Sequence, residues 1–194
     1  TLTLWELLST RRMCRRYLDK PVPRALLLRV LEAARRSPSA GHSQGVRFGV
    51  VSDLDKRGEI ARAFGEEEYL AKGFPAWLSV APIHLIAAVS EEAYQERYTL
   101  ADKSGGPEEW PVSYPVLDSG KALMSLYLAA EECGLSCGYL GPHAGPDLVS
   151  LLGLPDDWRF VGLITLGYRH PKSNIRTTSE KLGWRAFDDV VKWV

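Results

Sequence analysis

Arg11, Arg12, Arg15 and Arg16 crowd four guanidinium groups into the stretch Arg11-Arg12-Met13-Cys14-Arg15-Arg16. Guanidinium forks suit phosphate and carboxylate, which they hold through paired, charge-assisted hydrogen bonds. The same cluster also fits a basic helix end that complements the helix dipole and reaches into solvent. A second stretch, Pro38-Ser39-Ala40-Gly41-His42-Ser43-Gln44, sets small donors between two elements that both read as buried. It is either a plain helix–strand turn or a cradle for a polar ligand. Four histidines, at 42, 84, 143 and 170, are scattered, and His84 sits inside an apolar run, where a structural role is expected. No nucleophile–base triad and no metal-ligand spacing emerges. Cys14, Cys133 and Cys137 form no paired motif and read as reduced, inert thiols.

Composition narrows the classes further. The 194 residues hold 24 basic and 24 acidic side chains, so there is no global electrostatic footprint for nucleic acid. With 45% hydrophobic residues and no apolar run near the ~18 residues of a membrane span, a soluble protein is expected. The N-terminus lacks a signal-peptide core, which points to the cytoplasm.

The elements that must carry these residues follow from local signals. Thr3-Leu4-Trp5-Glu6 is a capping box, predicting a short helix that turns Leu4, Leu7 and Leu8 inward. Pro23 opens a helix reaching about Arg36, with Leu27, Val30, Leu31 and Ala34 as its stripe. A strand at 46–52 and a helical region from 53, broken at its glycines, come next. The run Leu78–Val89 has the continuous apolar character of a central strand covered on both faces. Residues 90–114 form a polar, irregular excursion. From about Tyr114 the chain is a central helix, apolar around much of its circumference and ended by Gly134. A strand at 136–140, a short helix at 146–152 and a strand at 159–168 complete one layered domain spanning 1–194, α+β or α/β.

Four quoted stretches then carry a resemblance. "TRRMCRRYLDKPVP" is similar to an N-terminal arginine motif, and "SPSAGHSQGVRFGVV" to a Pro-Ser loop followed by a strand. "GLSCGYLGPHAGPDLVSLLGLPDDWRFVGLITLGY" and "WRAFDDVVKWV" match two further motifs, in order and at the right separations. Together they resemble the FMN-dependent nitroreductase-like oxidoreductases over nearly the whole length. The resemblance implies an α+β, three-layer α/β/α sandwich with a central mixed sheet, in an intertwined homodimer with shared sites. It implies FMN as cofactor and NAD(P)H as co-substrate, with hydride passing through flavin N5 to a nitroaromatic, quinone or enone-like acceptor. The flavin carries the chemistry, so no protein residue is catalytic and no metal is needed.

The same resemblance implies roles for named residues. Arg11, Arg12 and Arg185 become phosphate ligands, and Arg15 the cation at the pyrimidine edge. Met13 stands where the motif has serine. Pro38, Ser39, Ala40, His42 and Gln44 lie along the flavin of the partner subunit. Leu140 and Gly141 run beside the ring, with Gly141 N–H facing N5, and Pro142 cannot donate where the family has another N–H. His143, Trp110 and Tyr114 line the substrate pocket, the 90–114 excursion acting as lid. Met13 and Pro142 also keep open a flavin-binding or inactive dimeric interaction protein. Related folds that run oxidative or flavin-degrading reactions are a third reading.

Overall fold

Local signals become elements in the computed structural model, which describes residues 2–103, 105–106, 109–173 and 182–194. Thr3 closes the reciprocal capping box with Glu6 and starts α1, Leu4–Thr10. Only Leu7 of this helix is buried; Leu4 is 63% exposed, so the expected inward face is not covered within one chain. Pro23 sits at the N-cap of α2, Arg24–Arg35, and its carbonyl accepts the N–H groups of Leu26 and Leu27. After a 3-10 turn at Ala40–His42 comes β1, Val46–Val51. The next helical stretch splits at Gly65, whose φ of 71° ends α3, Leu54–Ala63, and admits α4, Glu66–Ala71.

β2, Ile83–Ser90, is buried at every position. It starts later than the apolar run suggested, because Leu78–Val80 form a turn and Pro82 supplies no ladder donor. α5, Glu91–Tyr98, corrects the reading of 90–114 as irregular from its start: Ser90 caps it through Ala93 N–H. Tyr94 is its one buried residue, so no apolar stripe announces the helix. α6, Tyr114–Glu132, β3, Ser136–Leu140, α7, Leu148–Leu151, and β4, Trp158–Gly167, follow the expected order. α8, Phe187–Val190, lies in the tail.

The sheet runs β1-β2-β4-β3. Side chains of β2 alternate between two cores. Ile83, Leu85 and Ala87 face α2 and α6, where Val30, Leu126 and Ala130 pack. Ile86 and Ala88 face the layer holding Ile60, Trp77 and Leu148. The result is three layers, helices on both faces of one sheet. Every pairing among the described strands is antiparallel, not mixed. The reason is the connections: β1 hands over to β2, and β3 to β4, at the end where the chain left the sheet. A parallel neighbour needs a crossover back to the other end. Among the described residues, no helix is long and apolar enough to cross a membrane.

Candidate functional site

The chain leaves α1 at Arg11 and runs beside β3. Cys14 N–H donates to the Cys137 carbonyl at 2.7 Å, adding one rung beyond the sheet edge. Such close approach requires Gly138, since a Cβ there would meet the Cys14 carbonyl oxygen. Tyr17 fixes the far end of the segment, its hydroxyl 2.7 Å from Thr165 Oγ1. Burial pushes the thiols of Cys14 and Cys137 up, consistent with inert, protonated side chains.

The arginines on this segment divide by environment. Arg11 Nε is buried and has no hydrogen-bond partner among the described residues. Arg12 is exposed and donates to the carbonyls of Ser9 and Arg11 at 2.8 and 2.9 Å. Its own carbonyl accepts from Arg169, which also pairs with Glu131 at 2.9 Å. The Arg15 guanidinium carbon lies 5.8 Å from the centre of the Trp77 ring. Met13 is exposed. At the end of β3, Leu140 is half-buried and Gly141 caps a 3-10 turn, Pro142–Ala144. The His143 imidazole folds back over Gly141, where a Cβ would lie 3.1 Å from it. These residues therefore gather along one edge of the sheet.

The Pro38–Gln44 loop is more than a turn. Gly41, His42 and Gln44 all take left-handed backbone, at φ of 59°, 60° and 52°. For the two non-glycine residues that conformation costs about 1–3 kcal/mol each, and it persists only where surroundings impose it. Ser39 Oγ accepts Gln44 N–H at 2.9 Å, closing the loop on itself. Asp118, buried on α6, accepts Ala40 N–H and the Tyr94 hydroxyl, both at 2.8 Å, while Lys121 neutralises its other oxygen. Burial, then the bond to Asp118, pushes the Tyr94 phenol up. Arg97 donates to the Gly41 carbonyl at 2.6 Å and is itself forked onto Asp102. The loop rims a cleft of about 560 Å³ between α2 and β1, lined by Leu31, Arg35, Ser39, Gln44, Arg47 and Phe48.

Trp110 packs edge-on against Tyr98 and Tyr114, with ring centres 4.9 and 4.8 Å apart, and reaches Tyr94 at 6.2 Å. It pins the end of the 90–114 segment onto α5 and the start of α6. His42, His143 and Gln44 are exposed, as is Arg185 in the tail. His84 is fully buried, its Nε2 2.8 Å from the Leu78 carbonyl and its Nδ1 without a hydrogen-bond partner among the described residues.

Within one chain Arg11–Arg15 and Leu140–His143 both flank β3, whereas Pro38–Gln44 does not. The loop enters β1 and the other group flanks β3, the two outer strands of the sheet. Three strand spacings, about 14 Å, separate them. Asp118, Tyr94 and Arg97, which hold the loop, were not singled out from sequence. A lone acid within the apolar stretch Pro115–Met124 was the available signal for Asp118.

The family model "Nitroreductase family" matches residues 8–168. Over 196 residues the chain is 29% identical to a 5,6-dimethylbenzimidazole synthase of Rhodospirillum rubrum, covering 93% of this chain and 88% of that protein. It is 34% identical to an NADH dehydrogenase of Thermus thermophilus, over 81% of this chain and 82% of that one. A nitroreductase family protein from Streptococcus pneumoniae superposes with a TM-score of 0.75 at 20% identity, covering 99% of this chain and 100% of that chain. An oxidoreductase of flavin type is supported by relatives named NAD(P)H nitroreductase and FMN reductase. On the family model and the matching fold together, the chain belongs to the nitroreductase family.

Proposed function

We propose that the protein is an FMN-dependent oxidoreductase that passes hydride from NAD(P)H to a small electrophilic acceptor, in ping-pong fashion. The acceptor class is a nitroaromatic, quinone or enone-like compound, and the setting is the cytoplasm. One observation carries the reading: Arg11, on a segment with three further arginines that runs beside β3, presents a buried Nε with no hydrogen-bond partner among the described residues. A buried donor left unsatisfied costs about 1–3 kcal/mol, and an anionic ligand would remove that cost. FMN meets the demand with a phosphate, and when bound it supplies two-electron chemistry at ring N5.

The protein's part is binding and electrostatics. Arg11, Arg12 and Arg185 hold the phosphate, and Arg15 sets a positive charge at the pyrimidine edge. Gly141 offers its N–H to the ring, while Pro142, lacking one, leaves a donor fewer than the family pattern. Pro38, Ser39, Ala40, His42 and Gln44 reach the same site from a second subunit, which the separation across the sheet favours. His143, Trp110 and Tyr114 border the acceptor side, with the 90–114 excursion, opened by α5, as lid. Relatives named dimethylbenzimidazole synthase and iodotyrosine deiodinase give weight to a second reading, a nitroreductase-fold enzyme with an oxidative, flavin-consuming or dehalogenating reaction. Met13 and Pro142 favour a third, a flavin-binding or inactive dimeric protein.

Absorbance spectroscopy of the purified protein tests the proposal. Yellow protein, bleached anaerobically by NADH or NADPH and restored by a quinone, is expected. Flavin lost without an added acceptor, as intact cofactor disappears, would favour the second reading. Colourless protein that FMN cannot reconstitute would overturn the flavin assignment.

A further inference from the structure

The turn at Trp77–Ala81 is held by two buried polar side chains, Glu66 and His84, and by half-buried Arg57. Glu66, 5% exposed at the start of α4, accepts Trp77 N–H at 2.8 Å and Leu78 N–H at 2.6 Å through one oxygen. Ser79 N–H lies 3.3 and 3.2 Å from its two oxygens. From β2, His84 Nε2–H donates to the Leu78 carbonyl. From α3, Arg57 Nη1 donates to the carbonyls of Ser79 and Ala81 at 3.0 and 2.7 Å. Three elements thus spend a carboxylate, an imidazole and a guanidinium on one short turn. Burying a carboxylate costs several kcal/mol, offset here by charge-assisted bonds, and the return is a turn with little freedom.

What the turn fixes is Trp77. Its ring is 5% exposed and packs against Gly138 of β3, where a Cβ would lie 2.9 Å from ring atom Cζ3. Above the ring sits exposed Arg15, inside the ~6 Å range in which a guanidinium is drawn to an aromatic face. An arginine side chain otherwise carries ~2 kcal/mol of rotamer entropy. We propose that Trp77, locked by Glu66, His84 and Arg57, is a positioning residue that holds Arg15 in place against the bound flavin. The proposal rests on the reading of Arg15 as the flavin-facing cation.

A cation held at the pyrimidine edge favours reduced over oxidised flavin, so the midpoint potential of bound FMN is the readout. A role for Trp77 in core packing alone would not move it. Arg15→Gln should lower the ratio of affinities for reduced over oxidised FMN. Trp77→Leu should lower it in the same direction, by about two- to fivefold, the scale of a cation–π contact. Trp77→Phe, which keeps a ring, should lower it less, and it serves alone if the leucine variant does not fold. In an Arg15→Gln background, neither Trp77 substitution should change the ratio further. If Arg15→Gln shifts the potential while Trp77 variants do not, or shift it equally in both backgrounds, the proposal is overturned. An unchanged potential in Arg15→Gln itself would remove Arg15 from the flavin, and the proposal with it.

Discussion

Arg11 and His84 each keep a buried nitrogen without a hydrogen-bond partner among the described residues, yet the two call for different outcomes. Arg11 is only half-buried as a residue and lies on a segment with other arginines, so an anionic ligand could satisfy it. Arg11→Ala and Arg185→Ala should each weaken FMN binding about ten- to a hundredfold, the worth of one charge-assisted contact. Calorimetric titration with FMN checks this, and unchanged affinity in both would take these arginines out of the site. His84 is sealed between β2 and the Trp77–Ala81 turn. Burial drives its pKa from 6.5 to about 4, partly opposed by the Leu78 carbonyl. The unfolded chain therefore takes up this proton first as pH falls. Stability is complete above about pH 6.5 and is lost as pH drops towards 4, by an amount reaching about 2–3 kcal/mol. Urea denaturation at pH 7.5 and 4.5 should show the loss. In His84→Leu that component should be missing, whatever the variant's overall stability.

Among the elements, the Pro38–Gln44 loop depends most on distant partners. Its left-handed residues are imposed by Asp118 of α6 and by Arg97 of α5, each far along the chain. Asp118→Ala would leave Ala40 N–H and the Tyr94 hydroxyl without their buried acceptor, at a cost of about 2–4 kcal/mol. We expect a matching fall in the urea midpoint and faster proteolytic cleavage within 38–44. Asp118→Asn, which keeps one acceptor oxygen, should lose less. A variant with wild-type stability and an uncut loop would show that the loop holds its own shape.

This dependence explains which elements were legible in the sequence. The Thr3 box, Pro23, Gly65 and Gly134 act over one helical turn, and the boundaries they mark hold. α5 was missed because a helix with one buried side chain shows no stripe. The antiparallel sheet is not legible locally, because strand direction depends on which strands pair, and β2 pairs with β4 far along the chain. For the candidate site, residue types at Arg11–Arg15 and Leu140–Gly141 were readable from motif. The Trp77–Arg15 contact joins positions 62 apart (77 − 15), which local patterning does not reveal.

At the scale of the whole molecule, what one chain leaves uncovered matters most. Trp5 is 77% exposed, Trp184 98%, Trp193 86%, and Phe187 and Val190 stand out from α8. Burying a large apolar side chain is worth ~1.5–3 kcal/mol, so these two ends favour a partner. A second copy related by a two-fold axis would cover them and carry each Pro38–Gln44 loop to the other subunit's Arg11–Arg15 edge. Deleting residues 184–194 should then release dimer and flavin together. The most direct test is sedimentation velocity of the FMN-loaded protein, followed at the flavin absorbance. Flavin should travel only with a species of twice the 21.6 kDa chain mass, and in the 184–194 deletion it should sediment as free FMN. Flavin carried by a 21.6 kDa monomer would contradict the shared site on which the account turns.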